Sequence, residues 1–263
     1  NVLARQRPAW PPGARQAYHG ITLGFYESEL LRRIDPRHRT VGQFFQDEIA
    51  TPLGLDVYIR LPETISLTKL AVISRPSLLQ MLTGFPLRFF IDVLNRRSNI
   101  NRALDGSVLP HDTESIYLRN FEVPSGGAVG TARAIARAYS AFALGGELGL
   151  KPETLKLLAA PATPSANGFY DECIKGEGKF SLGFMKPSAG VPFGNPSSFG
   201  SPGAGGAMGF ADPETGIGYG YVTSRMGTRL SGDPRDVALR DALYAACAAS
   251  VHRAARRPLT EVI

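Results

Sequence analysis

"SGGAVGTARAIARAYSAFALGGEL", residues 125–148, has the apolar spacing of an amphipathic α-helix. Apolar side chains recur every three or four residues, which buries one face of a helix and turns Arg133 and Arg137 towards solvent. The apolar positions are Val129, Ala132, Ile135, Ala136, Tyr139, Phe142 and Ala143. Ser125 is suited to cap the beginning of this helix, and Gly145-Gly146 is suited to end it.

The residues that follow change from a helical to an extended pattern. Three short segments are rich in glycine and aromatic residues, as strands and their turns often are: FSLGFMK (180–186), GAMGFADP (206–213) and GIGYGYVTSRM (216–226). The turn sequence ADPETG separates the last two, so we predict an antiparallel meander. A final helix is expected to begin at Asp233, an N-cap residue followed by Pro234, and to run towards His252.

The residues before this helix also read as mainly helical. We predict a short helix over 21–34, and a second helix that begins with a capping box formed by Thr40 and Gln43. Residues 75–98 predict two helical pieces hinged at TGFP (83–86). The fold class is therefore α+β, an antiparallel sheet flanked by helices, with a mainly helical subdomain at 21–160 and the strands and final helix at 178–253.

Composition limits the classes of function. The 263 residues carry a net charge of +6, but the arginine pairs are scattered over helix-like segments without aromatic platforms, so we expect solvated helix faces and no nucleic-acid partner. Cys173 and Cys247 have no metal-binding spacing and are expected to be buried, and the four histidines lie far apart, so neither a metal nor another cofactor is expected. No apolar run is long enough to span a membrane. The two cysteines are compatible with the cytoplasm without requiring it.

Three segments together resemble the serine beta-lactamase-related family, which comprises class C beta-lactamases, low-molecular-weight penicillin-binding proteins and related esterases. They are PPGARQAYHG (11–20), VPSGGAVGTARAIARAY (123–139) and FGSPGAGGAMGFADPETGIGYGYV (199–222), and FFQDEIATPLGLD (44–56) extends the likeness. The resemblance implies a serine nucleophile in an S-x-x-K motif, a tyrosine that takes or relays its proton, and a third motif on an edge strand that helps to form the oxyanion hole.

The resemblance implies roles for four residues of this sequence. Tyr18 matches the family tyrosine, although Gly20 replaces the Asn or Ser that is common two positions later. Ser201 and Gly203 match the third motif, with Ser201 in place of a Lys or His, and Ala204 matches the residue whose N–H donates to the oxyanion. From the residues alone, Tyr18 also fits a packed turn tyrosine, and the third segment also fits a glycine-rich entry to a hairpin.

The nucleophile motif is not where the resemblance predicts it. The one S-x-x-K in the chain is Ser66 to Lys69, which follows Tyr18 instead of preceding it. One helical turn separates the two residues, so they form a candidate nucleophile pair, although a pattern this short also arises by chance.

We therefore expect the C-terminal portion of a serine hydrolase, a partial domain over residues 1–263 that is incomplete at its N-terminus. The complete relative would hydrolyse a small-molecule ester or amide through an acyl-serine, whereas this chain is expected to have little or no activity. The alternative is a non-catalytic pseudoenzyme that acts as a binding or interaction protein. Missing N-terminal strands would leave an open sheet edge, through which the chain could self-associate.

Overall fold

The fold combines seven α-helices with nine short strands in the part of the chain that the structure describes. The structure is a computed structural model that describes residues 3–77, 80, 87–104, 122–229 and 231–255. The helices are α1 (Leu23–Ile34), α2 (Val41–Phe45), α3 (Leu87–Leu94), α4 (Asn99–Ala103), α5 (Ala132–Leu144), α6 (Pro152–Ala159) and α7 (Pro234–Ala255). The strands are β1 (Val57–Tyr58), β2 (Val129–Gly130), β3 (Tyr170–Asp171), β4 (Gly176–Glu177), β5 (Phe180–Ser181), β6 (Phe184–Met185), β7 (Phe199–Gly203), β8 (Ala207–Asp212) and β9 (Ile217–Tyr221).

The predicted antiparallel meander is confirmed as a five-stranded sheet in the order β5-β6-β7-β8-β9. Every neighbouring pair in it is antiparallel, with Ser201 of β7 opposite Gly209 of β8. The predicted turn joins β8 to β9, where the carboxylate of Asp212 accepts a hydrogen bond of 3.0 Å from the Glu214 N–H. The sheet is long only in its last three strands, so these strands and the helices packed on them hold the core together.

Helix α5 packs on one face of the sheet with its backbone close to that of the strands. Glycine makes this approach possible, since a β-carbon at Gly220 would lie 2.5 Å from the Ala132 carbonyl oxygen and 2.6 Å from the Ala136 nitrogen. A β-carbon at Gly218 would overlap the Ser140 nitrogen in the same way. The apolar side chains around this contact form a buried cluster, which includes Phe199, Ala211, Leu158, Tyr139 and Phe142.

Helix α7 covers the opposite face of the sheet, where Phe210, Met208 and Tyr219 pack with Leu243 and Tyr244. The helix begins as predicted, because the Asp233 carboxylate accepts a hydrogen bond from the Arg235 N–H and Pro234 is the first helical residue. A buried ion pair joins Asp236 to Arg240 at 3.0 Å. The Tyr219 hydroxyl donates to the same aspartate at 2.9 Å, so α7 is tied to β9 by polar contacts as well as apolar ones.

The structure corrects the predicted beginning of the central helix. Helix α5 begins at Ala132, and its N-cap is Thr131, whose side chain accepts a hydrogen bond from the Ala134 N–H. Val129 lies in β2, which pairs with Val57–Tyr58, and so it is not part of the helix. Ser125 does not cap this helix either. Its hydroxyl accepts from the Gly24 N–H and donates to the Ile21 carbonyl, which fixes the beginning of α1. Gly145 ends α5 as predicted, with a φ of 72°.

The N-terminal helices agree with the sequence in part. The predicted helix at 21–34 is α1, and the capping box of Thr40 and Gln43 is present at α2. After α2 the backbone forms a π-helical turn over Gln46–Ala50 instead of continuing as α-helix. Helix α3 is the second predicted piece of 75–98, whereas the hinge at 83–86 lies outside the described residues.

Two other predictions from composition have structural outcomes. Cys173 is buried as expected, whereas Cys247 is only partly buried. On the surface of α1, Arg32 and Arg33 both form ion pairs with Glu29. Among the described helices, none is both long and apolar enough to cross a membrane.

Candidate active site

Tyr18 lies in the loop that leads into α1 and is held against the strand region. Its neighbour Gln16 forms a bridge to Asp171, and the Gln16 amide donates to the Phe169 carbonyl at 3.0 Å. The Tyr18 ring stacks on the ring of Phe180 in β5, with 6.3 Å between the centroids and an angle of 23° between the planes. The residue remains 44% exposed, so Tyr18 is packed on one side and exposed to solvent on the other.

Gly20 has a packing reason that the sequence does not reveal. A β-carbon at this position would lie 2.5 Å from the side chain of Leu104, and the next residue, Ile21, donates its N–H to the Ala103 carbonyl at 3.0 Å. The loop is therefore pressed against the end of α4. The nearest atom is the end of the flexible Leu104 side chain, so a larger residue at position 20 would first displace that side chain, and its β-carbon would lie 3.3 Å from the Ala103 carbonyl oxygen.

Asp171 is a site residue that sequence reasoning missed. It is 1% exposed, and one of its carboxylate oxygens accepts hydrogen bonds of 2.9 Å from the N–H groups of Cys173 and Ile174. The other oxygen is buried and has no hydrogen-bond partner among the described residues. Burial of Tyr18, followed by the negative charge of Asp171, raises the pKa of the Tyr18 phenol above its usual value of 10.0. The raised pKa favours the protonated phenol of Tyr18 over the phenolate.

We predict that Asp171→Asn lowers the pKa of Tyr18, because the substitution removes the charge that opposes formation of the phenolate. Asparagine keeps an oxygen that can accept from Cys173 and Ile174, so the loop should keep its shape. The pKa is measured by nuclear magnetic resonance of tyrosine labelled with carbon-13, with Asp47→Asn as a control of equal charge change. A Tyr18 pKa that stays the same or rises in Asp171→Asn would contradict the prediction.

The third-motif residues lie where β7 leaves its neighbour β6. Strand β6 pairs with β7 only at Gly200, so the following residues, Ser201 to Gly203, pair with β8 alone among the described strands. Ser201 is exposed, and its hydroxyl donates to the Pro202 carbonyl at 3.2 Å. The Gly206 N–H donates to the Gly203 carbonyl at 3.1 Å, which closes a tight turn with Ala204 exposed at its second position.

Tyr18 and the third motif are on the same side of β7. Phe180, on which Tyr18 stacks, is opposite Met185, and Met185 is opposite Gly200. Phe180 and Gly200 are therefore two strand spacings apart, a distance of about 10 Å. The open edge of β7 at Ser201 faces the side of the sheet from which β5 and Tyr18 approach. A cleft between the Tyr18 loop and the β7 edge is the arrangement that this topology favours.

The candidate nucleophile pair has a different geometry from the one that its spacing suggested. Ser66 has an extended backbone and caps a short 3-10 helix over Leu67–Lys69, so it is not within a helix. Its hydroxyl contacts the Thr68 hydroxyl at 2.9 Å instead of the Lys69 ammonium, and both members of the pair are exposed. Nothing in these contacts provides a base that would take the proton of Ser66.

Comparison with known proteins places this geometry in a family. A family model described as Beta-lactamase matches residues 1–244. The esterase/beta-lactamase LipL of Mycobacterium tuberculosis (strain ATCC 25618 / H37Rv) is 30% identical over 236 residues, which cover 86% of this chain and 52% of LipL.

Two solved structures are also similar. EstA from Arthrobacter nitroguajacolicus Rue61a has a TM-score of 0.76 at 27% identity, covering 94% of this chain and 64% of EstA. A family VIII carboxylesterase has a TM-score of 0.71 at 29% identity, covering 93% of this chain and 62% of that structure.

The chain thus spans about half the length of its curated relative and less than two thirds of each of these two structures. The family match covers most of the chain, and the antiparallel sheet between helices agrees with the solved relatives. The chain therefore belongs to the beta-lactamase-fold serine hydrolase family, which includes esterases and penicillin-binding-protein-like members.

Proposed function

We propose that this chain provides the tyrosine and third-motif parts of a cleft for ester substrates. The observation that carries the proposal is the placement of Tyr18, stacked on Phe180, on the same side of the sheet as the open β7 edge at Ser201. The name of the family VIII carboxylesterase supports an ester substrate, and LipL is named both as an esterase and as a beta-lactamase, which acts on a cyclic amide. Hydrolysis in such a cleft converts an ester and water into a carboxylic acid and an alcohol through an acyl-serine.

Each residue of the cleft has a proposed role that follows from its chemistry. Tyr18 is protonated at neutral pH, so it donates a proton to the departing alkoxide or relays one between serine and leaving group. The exposed N–H of Ala204 donates to the carbonyl oxygen as negative charge develops there. Ser201 offers a hydroxyl where a Lys or His would offer a charge, which suits a neutral ester better than an anionic substrate. Gly203 lets the substrate approach the strand edge closely.

We further propose that the 263 residues bind an ester without hydrolysing it. The one S-x-x-K of the chain places the Ser66 hydroxyl against Thr68, away from a proton acceptor. A serine hydroxyl without a base is a poor nucleophile. We also propose the division of the chain into a mainly helical subdomain at 21–160 and a sheet part at 178–253, with Tyr18 preceding the first and Ser201 within the second.

The test is a titration of the nitrogen-15-labelled chain with p-nitrophenyl butyrate, followed by amide chemical shifts and by release of p-nitrophenol. We expect saturable shifts at Tyr18, Ser201 and Ala204, and release no faster than in buffer. Tyr18→Phe should weaken binding by a few-fold, whereas Tyr170→Phe, with a tyrosine of nearly the same exposure (43%), should not. Chemical-shift changes confined to other regions would refute the cleft. Labelling of Ser66 by a fluorophosphonate would refute the proposal that the chain lacks a nucleophile.

The replacement of a cationic third-motif residue by Ser201 also favours a second function, a non-catalytic binding protein with the family cleft. The two functions differ in what happens to the protein isolated from its natural source. A fluorophosphonate adduct on that protein identifies a hydrolase, whereas ester binding without an adduct identifies the binding protein.

The sheet edge supports the expectation of self-association. Strand β9 is the last strand of its sheet and pairs only with β8 among the described strands. An edge strand with unpaired backbone groups can add a strand from a second copy. We expect the sedimentation coefficient of the chain to rise with concentration in the micromolar range, and a constant monomer value would contradict this part of the proposal.

A further inference from the structure

A cleft of about 520 Å³ lies beneath the loop that joins β6 to β7, and Tyr18 is not among the residues that line it. Its walls are mainly apolar and include the rings of Phe169 and Phe193, while Lys179 and Lys186 provide its positive charges. Phe180 and Met185 form a cross-strand pair of the β5–β6 hairpin, and the two lysines are the next residues outward. Because side chains alternate along a strand, the lysines point to the face opposite the one on which Tyr18 stacks.

Lys186 is a buried charge with little compensation. The residue is 3% exposed, and its ammonium donates to the Leu158 carbonyl in the last turn of α6 and lies 5.2 Å above the Phe199 ring. The Leu158 carbonyl accepts from one of the three N–H donors of the Lys186 ammonium. A positive charge is also favoured at the C-terminal end of a helix, where this carbonyl lies. No carboxylate of the described residues lies within ion-pair distance of Lys186. Burial accordingly lowers the pKa of the Lys186 ammonium to about 8.

Lys179 places a second positive charge directly opposite the first. The Lys186 N–H donates to the Lys179 carbonyl at 2.7 Å, so the two residues continue the ladder of the hairpin. Like charges at opposite positions of a ladder destabilise it. The Lys179 ammonium is balanced by Glu177 at 3.3 Å and packs 5.3 Å from the Phe169 ring. Of the two lysines that line the cleft, Lys186 is therefore the one whose positive charge no carboxylate of the described residues balances.

We propose that this cleft binds an organic carboxylate with an apolar body, whose single negative charge pairs with Lys186. A monoanion matches the one charge that the cleft leaves uncompensated, whereas a dianion would add an unpaired buried negative charge. The rings of Phe169 and Phe193 would hold an aromatic or aliphatic body of the ligand. The proposal does not depend on the proposed ester cleft, because Tyr18, Ser201 and Ala204 are not among the residues that line this one.

The test compares phenylacetate with phenylacetamide, a neutral molecule of nearly the same shape, by isothermal titration calorimetry on the 263-residue chain. We expect phenylacetate to bind about tenfold more tightly or better, because a charge-assisted hydrogen bond is stronger than a neutral one. Lys186→Met should remove this preference. Lys156→Met, which removes an exposed lysine of α6, should keep it. Equal binding of the two compounds to the wild-type chain would overturn the proposal.

Two further measurements keep the result clear if Lys186→Met does not fold. Lys179→Met changes a less buried member of the pair and should weaken the preference for phenylacetate while the chain stays folded. In the wild-type chain, phenylacetate should shift the amide signals of Lys186, Phe193 and Asn195 and leave those of Tyr18 and Ser201 unchanged. Shifts at Tyr18 and Ser201 instead would mean that the carboxylate occupies the ester cleft, which would overturn the assignment.

Discussion

Gly220→Ala is expected to destabilise the chain by about 3 kcal/mol, a large effect for one methyl group. The new β-carbon would lie 2.5 Å from the Ala132 carbonyl oxygen and 2.6 Å from the Ala136 nitrogen. Both atoms belong to the backbone of α5, which cannot rotate away as a flexible side chain would. The helix must therefore move off β9, and the apolar cluster around Phe199 must open with it.

The measurement is the free energy of unfolding from urea titrations followed by circular dichroism. Gly176→Ala is the matched control, because Gly176 also lies in a strand and a β-carbon there would meet nothing within 4 Å. We expect that control to change the free energy of unfolding by less than about 1 kcal/mol. Similar losses in the two variants would show that the strand glycines matter through backbone entropy and not through the contact with α5.

Arg240→Met is expected to cost about 3–5 kcal/mol, because it leaves a buried carboxylate without its cation. Asp236 and Arg240 are both almost fully buried, and Arg240 also donates to the Pro192 carbonyl at 2.9 Å. Methionine keeps an unbranched apolar chain in place of the aliphatic stem of arginine, so the loss comes from charge and hydrogen bonds more than from volume. After the substitution, the hydroxyl of Tyr219 is the one side-chain donor that Asp236 keeps among the described residues.

The control for this prediction is Arg32→Met, which breaks an ion pair on the exposed surface of α1 and should cost about 1 kcal/mol or less. The double variant Asp236→Leu with Arg240→Met should recover part of the stability, because it leaves no buried charge unpaired. Thermal and urea unfolding of the three variants test both statements. A double variant that is less stable than Arg240→Met alone would mean that packing, not charge, determines the loss.

The sequence predicted those elements whose signals are local. These signals are the apolar period of residues 132–144, the capping box at Thr40 and the Asp233-Pro234 start of α7. Each signal lies within one or two turns of the helix that it specifies. The pairing of Val57–Tyr58 with Val129–Gly130 could not be predicted, because two-residue strands have no period and their partners are far apart in sequence. Because of that pairing, Val129 is not part of α5, and Thr131 is the N-cap of the helix.

The candidate site divides in the same way. Tyr18, Ser201, Gly203 and Ala204 could be proposed as site residues because the motifs that carry the family resemblance are contiguous in sequence. Asp171 was not, because it reaches the Tyr18 loop only through the bridge to Gln16. The position of Lys186 also depends on tertiary structure, because the sequence FMK does not indicate that the Lys186 ammonium lies at the C-terminal end of α6.

The close contact between α5 and β9 has a mechanical consequence. Where backbone meets backbone across glycines, no layer of side chains can rearrange to let one element slide over the other, so α5 and the last strands behave as one rigid body. The β7 edge belongs to that body, while Tyr18 is held by a ring stack and by the hydrogen bonds of Gln16. Widening of the proposed cleft would therefore require movement of the Tyr18 loop against a fixed sheet.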